Sequence, residues 1–218
     1  IEWEAVAESE FSLISKDQFL PVSECLDEFV NGYAFSASQY VDSGVPIITM
    51  GNISLEGKFL FNKSKLRYWK SHKGLEKFIL SFGDLIIPMT DVTPGRNLIG
   101  RVTGYNRYEA SLLNQRVGKI VLNGKLTPDF FRHYANSHKW RKYCKAVCAA
   151  GVQANLSTVD IKAGLVPVIE LSRQRAISNT LNSIEDKEIS VSQNIEKLKL
   201  LKSSLMNDLL TGKTRVLS

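Results

Sequence analysis

No run of about 18 consecutive apolar residues occurs in these 218 residues, so the sequence contains no candidate membrane-spanning helix. The opening IEWEAVAESEF also lacks the basic, then apolar, then small-residue order of a secretory leader. The expectation is a soluble, cytoplasmic protein with no membrane partner. Cysteine is scarce. Cys25, Cys144 and Cys148 cannot close a disulfide set, and the last two stand four apart on one face of a predicted helix, which predicts reduced, buried thiols. His133 and His138 add no standard zinc spacing to them. The chain has three histidines in all, and no glycine-rich phosphate loop, H-E-x-x-H, C-x-x-C, G-x-S-x-G or dinucleotide fingerprint. These absences predict a chain that catalyses nothing alone and holds no metal or cofactor.

What is present is a cationic surplus. Lys and Arg number 28 against 22 Asp and Glu, a net charge of +6, which favours a polyanionic partner without requiring one. The length suits one mixed domain with a sizeable core plus an appendage, and the first residue, Ile1, is compatible with a piece of a longer protein. From Phe19 to Leu126 the pattern predicts short strands at 45–53, 59–62, 84–89, 99–105 and 116–122, bounded by glycine, asparagine and proline. The clearest is LSFGDLIIPM, whose apolar run is long enough for a buried strand, and LPVSECLDEFV near 20–30 fits a short helix. TPDFFRHYANSHKWRKYCKAVCAAG (127–151) predicts a second helix, with Thr127 as N-cap, Pro128 at its first position and Gly151 beyond its end. Lys139, Arg141, Lys142 and Lys145 make its last turns basic, which suits the helix dipole as well as it suits phosphate. A polar turn and a strand follow, ending before Ser172.

Residues 172–211 then predict one long helix, with Ser172 as N-cap and Gly212 just past the end. Its apolar repeat is sevenfold. Ile177, Ile184, Val191, Leu198 and Leu205 take the d positions, and Gln174, Leu181, Glu188, Ile195, Lys202 and Leu209 the a positions, so most of the seam is apolar. At 1.5 Å per residue the helix runs to about 60 Å, longer than a domain of this size is wide, so part of it projects and needs a partner. Glu188 and Lys202 weaken that seam while restricting its register.

Several stretches together resemble the specificity subunit of type I restriction-modification enzymes. YVDSGVPIITMGNISLEGKF is similar to that family's G-x-P-x-I run leading to Asn-Ile and a turn, and FGDLIIPMTDVTPGRNLIGRV to its G-D-hydrophobic strand and variable loop. LLNQRVGKIVL resembles the N-Q-R strand entry, and AAGVQANLSTVDIKAGLVPV the G-x-Q-x-N-L-S turn. LSRQRAISNTLNSIEDKEI and IEKLKLLKSSLMNDLLTGKTRV resemble the family's coiled-coil helix, with its Q-x-x-I opening and L-L-T-G-K-x-R-V close. These stretches cover more than half the chain in the expected order. The family's usual subunit resembles two such halves in tandem, and this chain holds one, either a natural half-subunit that dimerises or a fragment.

The resemblance implies an α/β fold, a strand-rich target-recognition domain over 1–168 followed by a coiled-coil helix over 169–218. It implies recognition of one half of a bipartite DNA sequence without catalysis. Methyltransferase subunits docked on the helix would hold S-adenosylmethionine, restriction subunits would add cleavage, and the helix would form a homodimer or meet a second half in a longer chain. The coiled-coil interface would comprise Ile177, Leu181, Ile184, Val191, Ile195, Leu198, Leu205 and Leu209.

DNA contacts call for Arg, Lys, Asn, Gln and Thr on loops. Thr90, Thr93, Arg96 and Asn97 lie on a loop after a buried strand, which is otherwise an ordinary connection. Lys63, Lys65 and Arg67 alternate as on one strand face, for phosphate or merely for water. Gln115 and Arg116 open a strand, though Asn114-Gln115-Arg116 also suits a turn. Gln153, Asn155 and Ser157 suit either DNA or local backbone bonds. Trp69, Lys70, His72 and Lys73 form a basic turn in which Trp69 also suits the core. The rival reading is a coiled-coil adaptor whose globular domain binds protein, and a third is a stand-alone DNA-modifying enzyme, which no motif supports.

Overall fold

The computed structural model describes residues 2–93, 95–148 and 154–213. Along the chain these form α1 (Glu2–Ser12), β1 (Phe19–Pro21), β2 (Leu26–Asn31), β3 (Val45–Ile48), β4 (Arg67–Trp69), β5 (Ile79–Leu80), β6 (Leu85–Pro88) and β7 (Thr90–Asp91). There follow β8 (Thr103–Gly104), β9 (Ser111–Leu113), β10 (Val117–Leu122), α2 (Pro128–Asn136), α3 (His138–Val147), β11 (Ala154–Asn155), α4 (Thr158–Ala163), β12 (Leu165–Pro167) and α5 (Leu171–Leu210). The fold is a mixed α/β domain, rich in short strands, with one long C-terminal helix.

The apolar run after Gly83 and Asp84 becomes β6, which is buried along its whole length. Alternation sends its side chains to two cores. Leu85 and Ile87 join a cluster with α1, α2, α3 and the start of α5, while Ile86 joins a smaller one with Ile48, Leu80 and Leu113. β6 lies inside a sheet ordered β2-β10-β6-β8, and a second sheet is ordered β4-β3-β9-β5, with β3 and β9 parallel. β7 pairs with β11 and β1 with β12, stitching the loops and the chain's later half to the sheets.

Several local expectations are corrected, among them the strands at 59–62, where only Phe59 bridges to Ile53, and at 99–105, which is confined to β8. Residues 20–30 form β1, a 3-10 turn at Val22–Cys25 and β2, not a helix, because β12 and β10 offer them antiparallel partners. The helix expected over 127–151 is two helices broken at Ser137, whose backbone is extended (φ −70°, ψ 162°). There Asn136 turns inward, its Nδ2 donating to the carbonyls of Val102 (2.7 Å) and Arg132 (2.9 Å), a bond that competes with helix continuation. Thr127 does cap α2, accepting from Phe130 N–H, and Gly151 lies outside the described residues. Lys63 and Lys65 belong to a 3-10 turn capped by Asn62, so they do not alternate along a strand with Arg67, where β4 begins.

The last correction concerns α5. Its N-cap is Glu170, and Ser172 lies within the first turn. Gln174, one of the expected seam positions, is fully buried and ties the helix start down. Its Nε2 donates to the carbonyls of Ile169 (2.8 Å) and Lys125 (2.9 Å), and its Oε1 accepts from Thr127 N–H (2.8 Å). Ile177, Leu181 and Ile184 are buried in the domain's own core, so the first half of the expected seam is already filled. From Ile189 onward the helix stands clear, with Val191, Ile195, Leu198, Leu205 and Leu209 exposed. Gly212, at φ 72°, ends it as expected, with Lys213 N–H bonding Asp208 O (2.9 Å) and Gly212 N–H bonding Leu209 O (3.2 Å). Among the described residues no helix is long and apolar enough to cross a membrane.

Candidate nucleic-acid interface

β6 delivers the chain into the loop that carries the first group of candidate residues, and a buried carboxylate organises that loop. Asp91 is 3% exposed. Its Oδ1 accepts from the N–H and the hydroxyl of Thr93 (both 2.7 Å), and its Oδ2 from the N–H groups of Leu98 (2.6 Å) and Ile99 (3.1 Å). Burial works to raise its pKa, but these bonds together outweigh burial and hold the carboxyl below its ordinary value. Sequence reading passed over Asp91. The signal was there in Asp91-Val92-Thr93, the spacing of an Asx turn.

The loop's candidate side chains are less free than the sequence implied. Thr90 is buried and its hydroxyl donates to Asn155 Oδ1 (3.1 Å) across the β7–β11 pair. Thr93 is engaged by Asp91. Arg96 is held at φ 48°, in the left-handed region, and its Nη1 donates to the Cys148 carbonyl (2.9 Å) at the end of α3, where a cation complements the helix dipole. Its own carbonyl and that of Asn97 accept from Arg141 Nη2 (3.1 and 2.9 Å). Asn97 is exposed, with Oδ1 accepting from Lys145 Nζ (2.8 Å). Asn155 is committed to Thr90, and Ser157 caps α4 in a reciprocal box with Asp160. Gln153 lies outside the described residues.

Gln115 and Arg116 are presented differently. Asn114 makes the turn, its carbonyl accepting from Val117 N–H (2.9 Å) and its Oδ1 from Arg116 N–H (3.3 Å). Asn114 thus fixes the turn, and the side chains of Gln115 and Arg116 are left exposed. Met89 N–H donates to Arg116 O (2.9 Å) and Leu156 N–H to Met89 O (2.8 Å), so the turn, the Asp91 loop and the β11 segment form one strip. Arg67 opposes Ile47, which opposes Leu112, so the chain before β4, with exposed Lys63 and Lys65, lies toward the same end of the sheet as Asn114. Tyr33 joins them, its carbonyl accepting from Gln115 N–H (2.9 Å) and its ring packing on Phe35 and Phe78. Trp69 is half-buried against Phe35.

A second polar cluster fixes the long helix to the domain. His133 is fully buried; its Nδ1 accepts from Trp3 Nε1–H (3.2 Å), which leaves Nε2–H to donate to Asn182 Oδ1 (2.8 Å). Arg132 donates to the same Asn182 oxygen (2.8 Å) and pairs with Glu185 (3.0 Å). Burial, with Arg132 adding to it against the Asn182 bond, pushes the His133 pKa down to about 3, so the ring is neutral. All three cysteines are buried and free, and burial pushes Cys144 up to about 12. Among the described residues no three metal-ligating side chains come together.

No family model matches the chain. It is 23% identical over 218 residues to the type I restriction enzyme MjaVIII specificity subunit of Methanocaldococcus jannaschii, a match that takes in 99% of this chain and 50% of that protein. The chain thus spans about half the length of the curated relative it matches. Among solved structures it is similar to the HsdS subunit from Thermoanaerobacter tengcongensis (TM-score 0.62, 12% identity, 95% of this chain and 50% of that one). It is also similar to the type I restriction-modification S subunit from M. genitalium (TM-score 0.61, 13% identity, 99% and 54%). The resemblance to the specificity subunit of type I restriction-modification enzymes therefore holds, in sequence from end to end of this chain and in the fold of one strand-rich domain bearing one long helix.

Proposed function

We propose that this chain is the sequence-specific DNA-binding component of a type I restriction-modification complex, reading one half of a bipartite target. The observation that carries the reading is the similarity of 99% of this chain to half of a protein named as a type I specificity subunit. The geometry supports it. One end of the domain gathers exposed Gln115, Arg116, Lys63, Lys65 and Arg67 beside a loop braced by buried Asp91, so donors suited to base edges and phosphates stand on rigid supports. Chemistry belongs to other chains in this reading: methyltransferase subunits, docked on the domain and α5, would hold S-adenosylmethionine, and restriction subunits would cut. The setting would be the cytoplasm.

The test is enrichment of duplexes from a random pool by the full chain, alone and with a methyltransferase subunit. One enriched half-site, with affinity that falls as salt rises, is the expected result. Equal retention of all sequences, with specific capture of a protein instead, would overturn the DNA reading in favour of the coiled-coil adaptor.

A further inference from the structure

Behind the Asp91 loop lies a cavity of about 500 Å³ that the DNA reading does not use. Its walls come from α1, through Glu4 and Glu8, from the loop, through Asn97 and Arg101, and from α3, through Arg141 and Lys145. Arg141 is 6% exposed, yet no carboxylate pairs with it among the described residues. Its Nη2 is satisfied by two carbonyls, while Nη1 is buried and has no hydrogen-bond partner. Burial, reinforced by the neighbouring charge of Arg101, pushes its pKa down to about 10, so the guanidinium is still charged at neutral pH. The Asp91 carboxylate acts on it without pairing, so Arg141 is a buried cation with one N–H group unsatisfied, a costly arrangement that an anion relieves.

The donors for such an anion are in the same walls. Lys145 spends one of its three N–H groups on Asn97 Oδ1, which leaves two. Arg101 donates through Nε to Asn97 O (3.3 Å) and through Nη1 to Asn136 O (3.1 Å), and leaves Nη2. Asn97, its Oδ1 taken, presents its amide N–H groups. The opposing carboxylates are fewer: Glu8 accepts from His138 N–H (2.6 Å), and Glu4 stands toward Arg101. In the cavity's own walls three cations stand against two carboxylates, while Glu56 and Asp91 act on Arg101 and Arg141 from outside the walls.

We infer that this cavity is an oxyanion site for a phosphate group, bound by Lys145, Arg101 and Asn97 and balanced from the wall by Arg141. The phosphate could belong to a small phosphorylated molecule or to the DNA backbone. In either case it ties α3 to the loop that Asp91 organises, because Lys145 stands on the helix and Asn97 on the loop. The inference needs no DNA, and its first test contains none.

Inorganic phosphate, titrated calorimetrically into the full chain against chloride at equal ionic strength, should give a saturable signal for one site. Lys145→Ala should weaken it by about tenfold, as expected for loss of a charge-assisted hydrogen bond. Lys142→Ala, which removes an exposed lysine of the same helix outside the cavity, should leave it unchanged. No saturable signal above chloride, or equal losses in the two variants, would overturn the site. A second arm adds duplex DNA. If saturating phosphate displaces the duplex and Lys145→Ala lowers the salt slope by about one, the phosphate is a DNA phosphodiester; if phosphate binds while DNA affinity stays constant, it belongs to a free molecule.

Discussion

Asp91 and Arg116 represent two kinds of candidate residue, one that holds the loop and one that, in the proposed reading, reaches DNA, and substitution should separate them. Asp91→Asn removes two of the acceptor positions that now receive the N–H groups of Leu98 and Ile99, leaving buried donors unpaired. The expected loss is about 2–4 kcal/mol of stability, measured by denaturant unfolding, together with loss of discrimination between duplex sequences. Arg116→Ala touches an exposed side chain, so stability should change by less than about 0.5 kcal/mol while preference at one base pair falls by about 1–3 kcal/mol. Equal weakening on the selected and a scrambled duplex would remove Arg116 from base readout. Lys63→Ala with Lys65→Ala should weaken all duplexes alike and reduce the salt slope by roughly two. Composition and loop position were enough to nominate Arg96 and Thr90 as contacts. Where they point was not legible, because it depends on Cys148 and Asn155, which lie 52 and 65 residues away.

At the scale of elements, periodicity revealed β6, β10 and α5 because burial on a face leaves a mark every second or every third to fourth residue. It did not reveal β2, since LPVSECLDEFV carries a helix-compatible pattern and only pairing with β10 selects the strand. Nor could it divide the α5 seam between the chain's own core and a partner, because Leu181 and Leu205 both fall on the same apolar repeat. Their environments differ, and so should their substitutions. Leu181→Ala empties a fully buried site and should cost about 2–5 kcal/mol, whereas Leu205→Ala, half exposed, should leave unfolding of the monomer nearly unchanged. The junction also predicts a pH dependence. His133 has a folded pKa near 3 against an ordinary value near 6.5, so between these values the unfolded chain binds a proton that the folded chain refuses. This contribution is fully present above about pH 6.5 and is lost as pH falls toward 3, with a slope approaching about 1.4 kcal/mol per unit. His133→Gln, which can still accept from Trp3 and donate to Asn182, should flatten that limb in denaturant titrations from pH 7 to 4. An unchanged slope would assign the acid sensitivity to other groups.

For the whole molecule, the division of α5 sets what can assemble. Only the stretch from Ile189 to Leu210 is free, about 30 Å of helix with Val191, Ile195, Leu198, Leu205 and Leu209 exposed. Water does not tolerate such a strip, and under the proposed reading a second helix, from another copy or from a longer chain, would cover it. Because the proximal half is sealed against its own domain, pairing must centre near Leu198. Antiparallel pairing about that point places the domain ends, at Ile184 of each chain, about 40 Å apart along the rod, a spacing that suits half-sites separated by more than one turn of duplex. Parallel pairing would bring both domains to one end. Sedimentation equilibrium should therefore show a dimer at tens of micromolar, and Leu198→Glu with Leu205→Glu should return it to monomer while leaving the unfolding of each domain unchanged. Spin labels at exposed Ser190 decide the direction. An antiparallel pair centred on Leu198 gives a label-to-label separation of about 25 Å, a parallel pair about 10 Å, and a monomer at these concentrations would mean that the strip is covered by a different chain.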